Sequence, residues 1–330
     1  MNQFFANILT GINSLIGNYG WSMIIFTVLI KLLISPLDYK SRKGMRRTQA
    51  IQPQIAKLQQ KYANDKEKLN LKMSELYRKE GINPMSGCLP MLLSMPLLFI
   101  MFAAMRLVAN TELAKQSIEL LVNGAQINEG WLWIKNLWMP DSPFFGIVAD
   151  KQNLSIIPAD IWQKVFASLD EATISALSGM GITAANISGT TIFPLLEATE
   201  AYKAEVALWT ELPSLNLIIT QMSIYAKPNG WFVLPLLACG TQFLMNATTQ
   251  QQTAPQPAAD GQPNTGAFMK YFFPLFSLFI CASSNAAFSL YWVVSNLFAW
   301  AEQLVFNMMF QAQERAGNTG KPVKEEDTIK

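Results

Sequence analysis

The stretch WSMIIFTVLIKLLISPL, residues 21–37, is apolar along almost its whole length and carries Lys31 inside it. A helix of this length enters a bilayer. A charge at that depth costs about 2.5–3.5 kcal/mol on insertion scales, so Lys31 is a functional-site candidate by default. A basic amphipathic segment follows at once. After it comes a proline-studded apolar stretch that opens with Asn83-Pro84-Met85-Ser86-Gly87-Cys88-Leu89-Pro90. The order of these three features sets the expectations for the rest of the chain.

Composition agrees with a membrane protein. The 330 residues are 51% hydrophobic and only 15% charged, where a soluble domain carries nearer a quarter charged residues. Charge is unevenly placed. Residues 38–83 hold 12 Lys/Arg against 5 Asp/Glu, whereas residues 107–230 hold 6 against 12. Short basic segments stay cytoplasmic, which puts the acidic segment outside. Cys88, Cys239 and Cys281 all lie in apolar stretches and read as small buried hydrophobes rather than a disulfide framework. The chain has no histidine, which removes the usual general base and the commonest metal ligand. No enzyme activity, cofactor or metal is expected.

The pattern predicts an all-α polytopic membrane protein with five transmembrane helices. Residues 1–20 read as an outer-leaflet interfacial helix, since Phe4, Phe5, Ile8, Leu9, Ile12, Leu15 and Ile16 recur at helical spacing. The first span is 21–37 and a basic helical hairpin occupies 38–83. Ile51, Ile55, Leu58 and Tyr62 form the apolar seam of one arm, and Leu69, Met73 and Leu76 that of the other. Asn64-Asp65 supplies the turn, and Gly81 the end of the second arm. The second span falls in 84–107, followed by an exported acidic segment at 108–230 with a small helical insert. The third span is 231–247, a flexible cytoplasmic loop rich in Gln, Pro and Ala fills 248–267, and the last two spans lie in 268–310. Residues 311–330 form a cytoplasmic tail. An odd number of spans with a cytoplasmic first loop places the N-terminus outside and the C-terminus inside.

Polar residues at membrane depth mark the candidate site. Thr27 and Lys31 are four apart and share a helix face that Ser35 continues. Gln242 and Asn246 are four apart in the third span, and Tyr291, Ser295 and Asn296 cluster in the fifth. Two arrangements fit Lys31: its stem snorkels toward the cytoplasm, or its ammonium faces a water-accessible cavity in the inner half of the membrane. For the other polar groups, interhelical hydrogen-bond glue competes with cavity lining. Pro36, Pro90, Pro96, Pro235 and Pro274 each free a backbone carbonyl in or beside a span, which suits an indented bundle. On the hairpin, Arg42, Lys43, Arg46, Arg47, Lys57 and Lys61 give a basic surface able to attract anionic lipids or an RNA-bearing partner.

At this point the chain resembles the YidC-type membrane protein insertases, with their mitochondrial and chloroplast relatives. The likeness runs through Gly17-Asn18-Tyr19-Gly20-Trp21-Ser22, Thr27 to Lys31, Gln52-Pro53, Asn83-Pro84 with Gly87-Cys88-Leu89-Pro90 and Pro96, and Leu290-Tyr291-Trp292-Val293-Val294-Ser295-Asn296. The resemblance implies a five-helix core around a hydrophilic groove open to cytoplasm and lipid and closed outside. It implies that the charge at Lys31, where an arginine is usual, attracts the acidic part of an incoming chain. Thr27, Asn246, Tyr291 and Trp292 match further groove-lining positions. Lysine keeps the charge but loses the five-donor fork of arginine. No lipid-bearing N-terminal cysteine, cleavable signal or long basic tail is recognisable.

The expected function is therefore a bacterial plasma (inner) membrane insertase and chaperone. It takes hydrophilic tails of nascent membrane proteins into a cationic groove and releases their apolar segments into lipid, alone or beside the Sec translocon. The ribosome or signal recognition particle system is the expected source of clients. The alternative is a small-solute transporter or channel that uses Lys31 as an anion site.

Overall fold

The computed structural model describes residues 2–82, 89–125, 129–208, 215–216, 221–222, 224–250 and 265–318. The Asn83–Cys88 motif, most of the Gln/Pro-rich loop and the end of the tail lie outside these residues. Thirteen helices are described: α1 (Asn2–Ile16), α2 (Tyr19–Ala50), α3 (Gln52–Lys61), α4 (Lys66–Lys79), α5 (Leu89–Asn123), α6 (Lys151–Ser155), α7 (Ala159–Ala167), α8 (Glu171–Gly179), α9 (Gly189–Ala198), α10 (Glu200–Glu205), α11 (Val233–Gln250), α12 (Thr265–Ser283) and α13 (Ala286–Asn318). The only described strands are β1 (Leu215–Asn216) and β2 (Gln221–Met222), an antiparallel pair. The protein is an all-α polytopic membrane protein.

Two described helical segments, rather than five, are both long and apolar enough to cross a bilayer on their own: Tyr19–Ala50 and Pro96–Asn123. Val233–Thr248 and Lys270–Ser283 are shorter apolar helices. α13 has the length, at 33 residues. Its apolar run is interrupted by Ser295, Asn296, Glu302 and Gln303, which dilute its hydropathy.

The Gly17–Trp21 motif builds the start of α2. Gly17 takes a left-handed φ of 74°, ending α1. The Asn18 side chain then accepts from the Gly20 and Trp21 amides at 3.0 and 3.3 Å, capping α2. Its amide Nδ2 donates to the Gly130 carbonyl at 3.0 Å, tying the cap to a distant loop. A Cβ on Gly20 would strike the Trp131 ring. Gly20→Ala should therefore cost about 1–3 kcal/mol through overpacking, read as a lower melting temperature in detergent micelles. Trp131→Ala in the same chain should recover part of the loss; full stability of the single variant would refute the close approach.

α2 sorts its residues by face. Met23, Phe26 and Ile30 are buried, whereas Ile25, Leu29, Leu32 and Leu33 are exposed. Exposed apolar residues also line α12 (Leu275, Phe276, Phe279) and α13 (Leu304, Val305, Met308). So much exposed apolar side-chain surface suits lipid rather than water. α13 packs on α2, α11 and α12, and α11 packs on α12. α1 lies against α2 and α5, burying Ala6 and Leu9.

α2 continues through Pro36 to Ala50, so the helix carries the start of the basic segment with it. α3 follows with a proline at its first turn, and α3 and α4 pack on each other. Ile51 and Ile55 are buried there. Asp65 caps α4 by accepting from the Lys68 amide at 3.0 Å, and Gly81 follows it with a φ of 62°.

Residues 131–141 fill the end of the bundle at which α2, α11 and α13 begin. Leu137, Trp138 and Met139 are buried, and the Met139 and Leu137 carbonyls accept from the Ala286 and Ala287 amides, both at 2.9 Å. Asn229 is fully buried. Its Nδ2 donates to the carbonyls of Asn136, Met139 and Pro140 at 2.9, 3.1 and 2.9 Å, while its Oδ1 accepts from the Asn136 amide at 2.7 Å. Asp141, also fully buried, accepts from the Trp231 and Leu234 amides at 2.8 and 2.6 Å and from Trp133 Nε1 at 3.3 Å. These bonds cap α11 and close the loop against the bundle. The insert α6–α10 packs on α5 around Leu154, Trp162, Leu177 and Ile192.

Candidate functional site

Helical geometry sets the first half of the site. Lys31, Ser35, Asp38 and Arg42 are spaced four, three and four residues apart on α2 and share one face. That face meets α13, where Tyr39 packs edge-on to Phe306 and stacks on Phe310, with ring centroids 5.3 and 5.1 Å apart. Gln313 donates to the Tyr39 hydroxyl at 3.2 Å, and the Arg46 guanidinium lies 4.9 Å from the Phe310 ring centre. These contacts fix the register between the two helices.

Within that register Glu302 of α13 comes to the α2 polar face. It is only 8% exposed. The Ser35 hydroxyl sits beside its carboxylate, and Lys31, Asp38 and Arg42 all lie within its electrostatic reach. Lys31 in turn feels Asp38, Glu302 and Arg42. The cluster thus holds two cations and two carboxylates, so Lys31 does not stand as a lone positive charge. None of the ion pairs among the described residues includes Lys31.

The other predicted residues fall into two groups. Thr27 is fully buried and its hydroxyl donates to the Met23 carbonyl at 2.6 Å, within its own helix. Asn246 donates to the Lys270 carbonyl at 3.3 Å, joining α11 to α12. Asn296 donates to the Thr241 hydroxyl at 3.2 Å, joining α13 to α11. Gln242 is half-buried on α11. Tyr291 and Ser295 are buried along α13, and Trp292 packs on Phe288 at 5.6 Å. Buried polar atoms on this helix lack hydrogen-bond partners: Trp292 Nε1, Ser295 Oγ, Trp300 Nε1 and Glu302 Oε1. Such atoms are not confined to α13, since Gln116 Nε2 and the Nε1 atoms of Trp131, Trp138 and Trp162 also lack partners; Glu302 stands out among them because it is a buried carboxylate.

The basic residues are divided between elements. Arg42, Lys43, Arg46 and Arg47 stand on the continuation of α2, and Lys57 and Lys61 on α3. Arg42 therefore belongs to the charge cluster as well as to the basic surface. Asp38 and Glu302 are the members of this cluster that sequence reasoning missed, although an acidic residue inside an apolar helix, as Glu302 is, gives a signal equivalent to Lys31.

Apolar faces turned outward, long helices packed as a bundle and a mixed-charge cluster between two of them, half-buried except for the buried Glu302, fit a polytopic helical membrane protein. Comparison with known proteins narrows the class. The chain belongs to the 60Kd inner membrane protein family, whose pattern matches residues 11–169 and 190–314. It is similar to a membrane protein insertase YidC from Fusobacterium nucleatum, 45% identical over 106 residues, covering 32% of this chain and 52% of the relative. A membrane protein insertase YidC from Chlorobium limicola is 29% identical over 258 residues, covering 77% of this chain and 37% of the relative. One from Anaeromyxobacter dehalogenans is 36% identical over 171 residues, covering 48% and 29%. The chain spans about half the length of these relatives or less.

Proposed function

We propose that this protein inserts other membrane proteins into the bacterial inner membrane, using the polar site between α2 and α13 to receive their hydrophilic tails. The observation that carries this reading is the half-buried polar face of α2, with Lys31, Ser35, Asp38 and Arg42, meeting the buried Glu302 of α13. Such a charged cluster suits a polar polypeptide better than a purely apolar helix contact does. A peptide group transferred unpaired into hydrocarbon costs several kcal/mol. A polar notch reaching partway through the bilayer shortens the path over which that penalty applies. Lys31 favours acidic tails, and a membrane potential draws each negative charge outward with about 2.3 kcal/mol per 100 mV. No nucleotide is needed, and the apolar part of the client leaves sideways into lipid.

In this reading five helices cross the membrane, α2, α5, α11, α12 and α13, with the N-terminus outside and the C-terminus in the cytoplasm. The loop 131–141, held by Asn229 and Asp141, seals the outer end. The basic surface of α2, α3 and α4 recruits clients from the cytoplasm and meets anionic lipid headgroups. Clients arrive from the ribosome or through the signal recognition particle system, directly or beside the Sec translocon.

A thiol-reactive probe tests the one-sided notch. In a background lacking Cys88, Cys239 and Cys281, Lys31→Cys should be labelled by a membrane-impermeant maleimide from the cytoplasmic side only. Labelling from neither side would mean a dry position. Labelling from both would indicate a through-route and favour a solute transporter.

A further inference from the structure

The site between α2 and α13 contains a component that attraction by Lys31 alone does not use. Glu302 is more than nine-tenths buried, yet its Oε1 has no hydrogen-bond partner. Asp38 stands two turns along α2 from Lys31 on the same face. Both carboxylates act on the Lys31 ammonium, with Arg42 as the other cation of the group. Lys31 makes no contact ion pair with either among the described residues. Its charge is therefore partly neutralised but not locked.

We propose that Glu302 and Asp38 are resident counter-carboxylates that compete with the client tail for Lys31 and so set how acidic a tail must be to enter. The proposal rests on the insertase reading and names the specificity of that same site. A tail bearing one carboxylate meets two resident carboxylates of equal charge and gains little by replacing them. A tail with several carboxylates outweighs them. The unpartnered Glu302 oxygen suits this role, because a carboxylate fully held by hydrogen bonds would not yield its place. Removing the Glu302 charge frees the field of Lys31 and lowers the acidity required. Glutamine keeps the size of the side chain and its ability to meet the Ser35 hydroxyl.

The test uses the full chain in proteoliposomes and three versions of one single-span client whose tails carry no, one or three Asp residues. Insertion is read by protease protection. Glu302→Gln should raise insertion of the one-Asp client about threefold, leave the client without Asp unchanged, and bring the one-Asp and three-Asp clients closer together. The gain should vanish when Lys31→Ala is added. No gain with the one-Asp client, or an equal gain with all three, would overturn the proposal, provided Lys31→Ala alone still lowers insertion of the three-Asp client. If Lys31→Ala alone has no effect, the insertase reading of this site fails instead. Should Glu302→Gln not accumulate in the membrane, Asp38→Asn supplies the same readout: a gain confined to the one-Asp client supports the competition and its absence overturns it.

Discussion

Lys31→Glu should reduce insertion of a client with a three-Asp tail by at least about tenfold, a change in barrier of about 1.4 kcal/mol. The expectation follows from the neighbours of this residue. Two unit charges a few ångströms apart interact by about 4 kcal/mol at the effective dielectric of a partly wet protein site. The substitution replaces attraction by repulsion and sets a third carboxylate beside Asp38 and Glu302. Lys31→Ala should have a smaller effect, because it removes the attraction without adding repulsion. Lys31→Arg should stay within about twofold of the parent, since arginine keeps the charge and adds a fork that grips carboxylates. Protease protection of a radiolabelled client in vesicles made from each variant checks the order Arg, Ala, Glu. Parent-level insertion by the Glu variant would remove the charge at this position from the mechanism. A melting curve for each purified variant separates this effect from loss of fold.

How much of this was legible beforehand depended on how local each cause was. Lys31 stood out because one charge in an apolar helix needs no structural knowledge to be noticed. The Asn18 cap and the tight spot at Gly20 lie within a short motif, yet the partner that makes Gly20 necessary is Trp131, more than a hundred residues away. α2 runs past Leu37 because a helix absorbs Pro36 where the preceding turn accepts the loss of one donor. As a result Arg42 shares a face with Lys31 instead of belonging only to the basic surface. Glu302 was overlooked because α13 also carries Ser295, Asn296 and Gln303, among which one more polar residue passes as ordinary interhelical bonding. Only the register set by Tyr39 on Phe310 brings it to the α2 face.

The loop-filled end of the bundle provides the largest expected loss of stability. Asp141 is fully buried and accepts two backbone amides, from Trp231 and Leu234, and one indole N–H, from Trp133. Asp141→Ala leaves these donors without a partner, at about 1–3 kcal/mol for each buried group left unsatisfied. Relaxation toward solvent at the bundle end offsets part of that cost, so a net loss of about 3–5 kcal/mol is expected, the range seen when a buried polar network is broken. Asp141→Asn retains one acceptor oxygen and should lose about half as much. The same loss is expected of Asn229→Ala, which frees three carbonyls and one amide from residues 136–140. Thermal unfolding in detergent micelles gives the magnitude, and limited proteolysis gives the place, with new cleavage expected in 129–146. The consequence for function separates a seal from mere scaffolding. If residues 131–141 close the outer end, vesicles carrying Asp141→Asn, the milder variant, should become permeable to small ions at a temperature where the bundle remains folded. Unchanged permeability alongside the expected loss of stability would mean that the loop supports the helices but does not close a path between them.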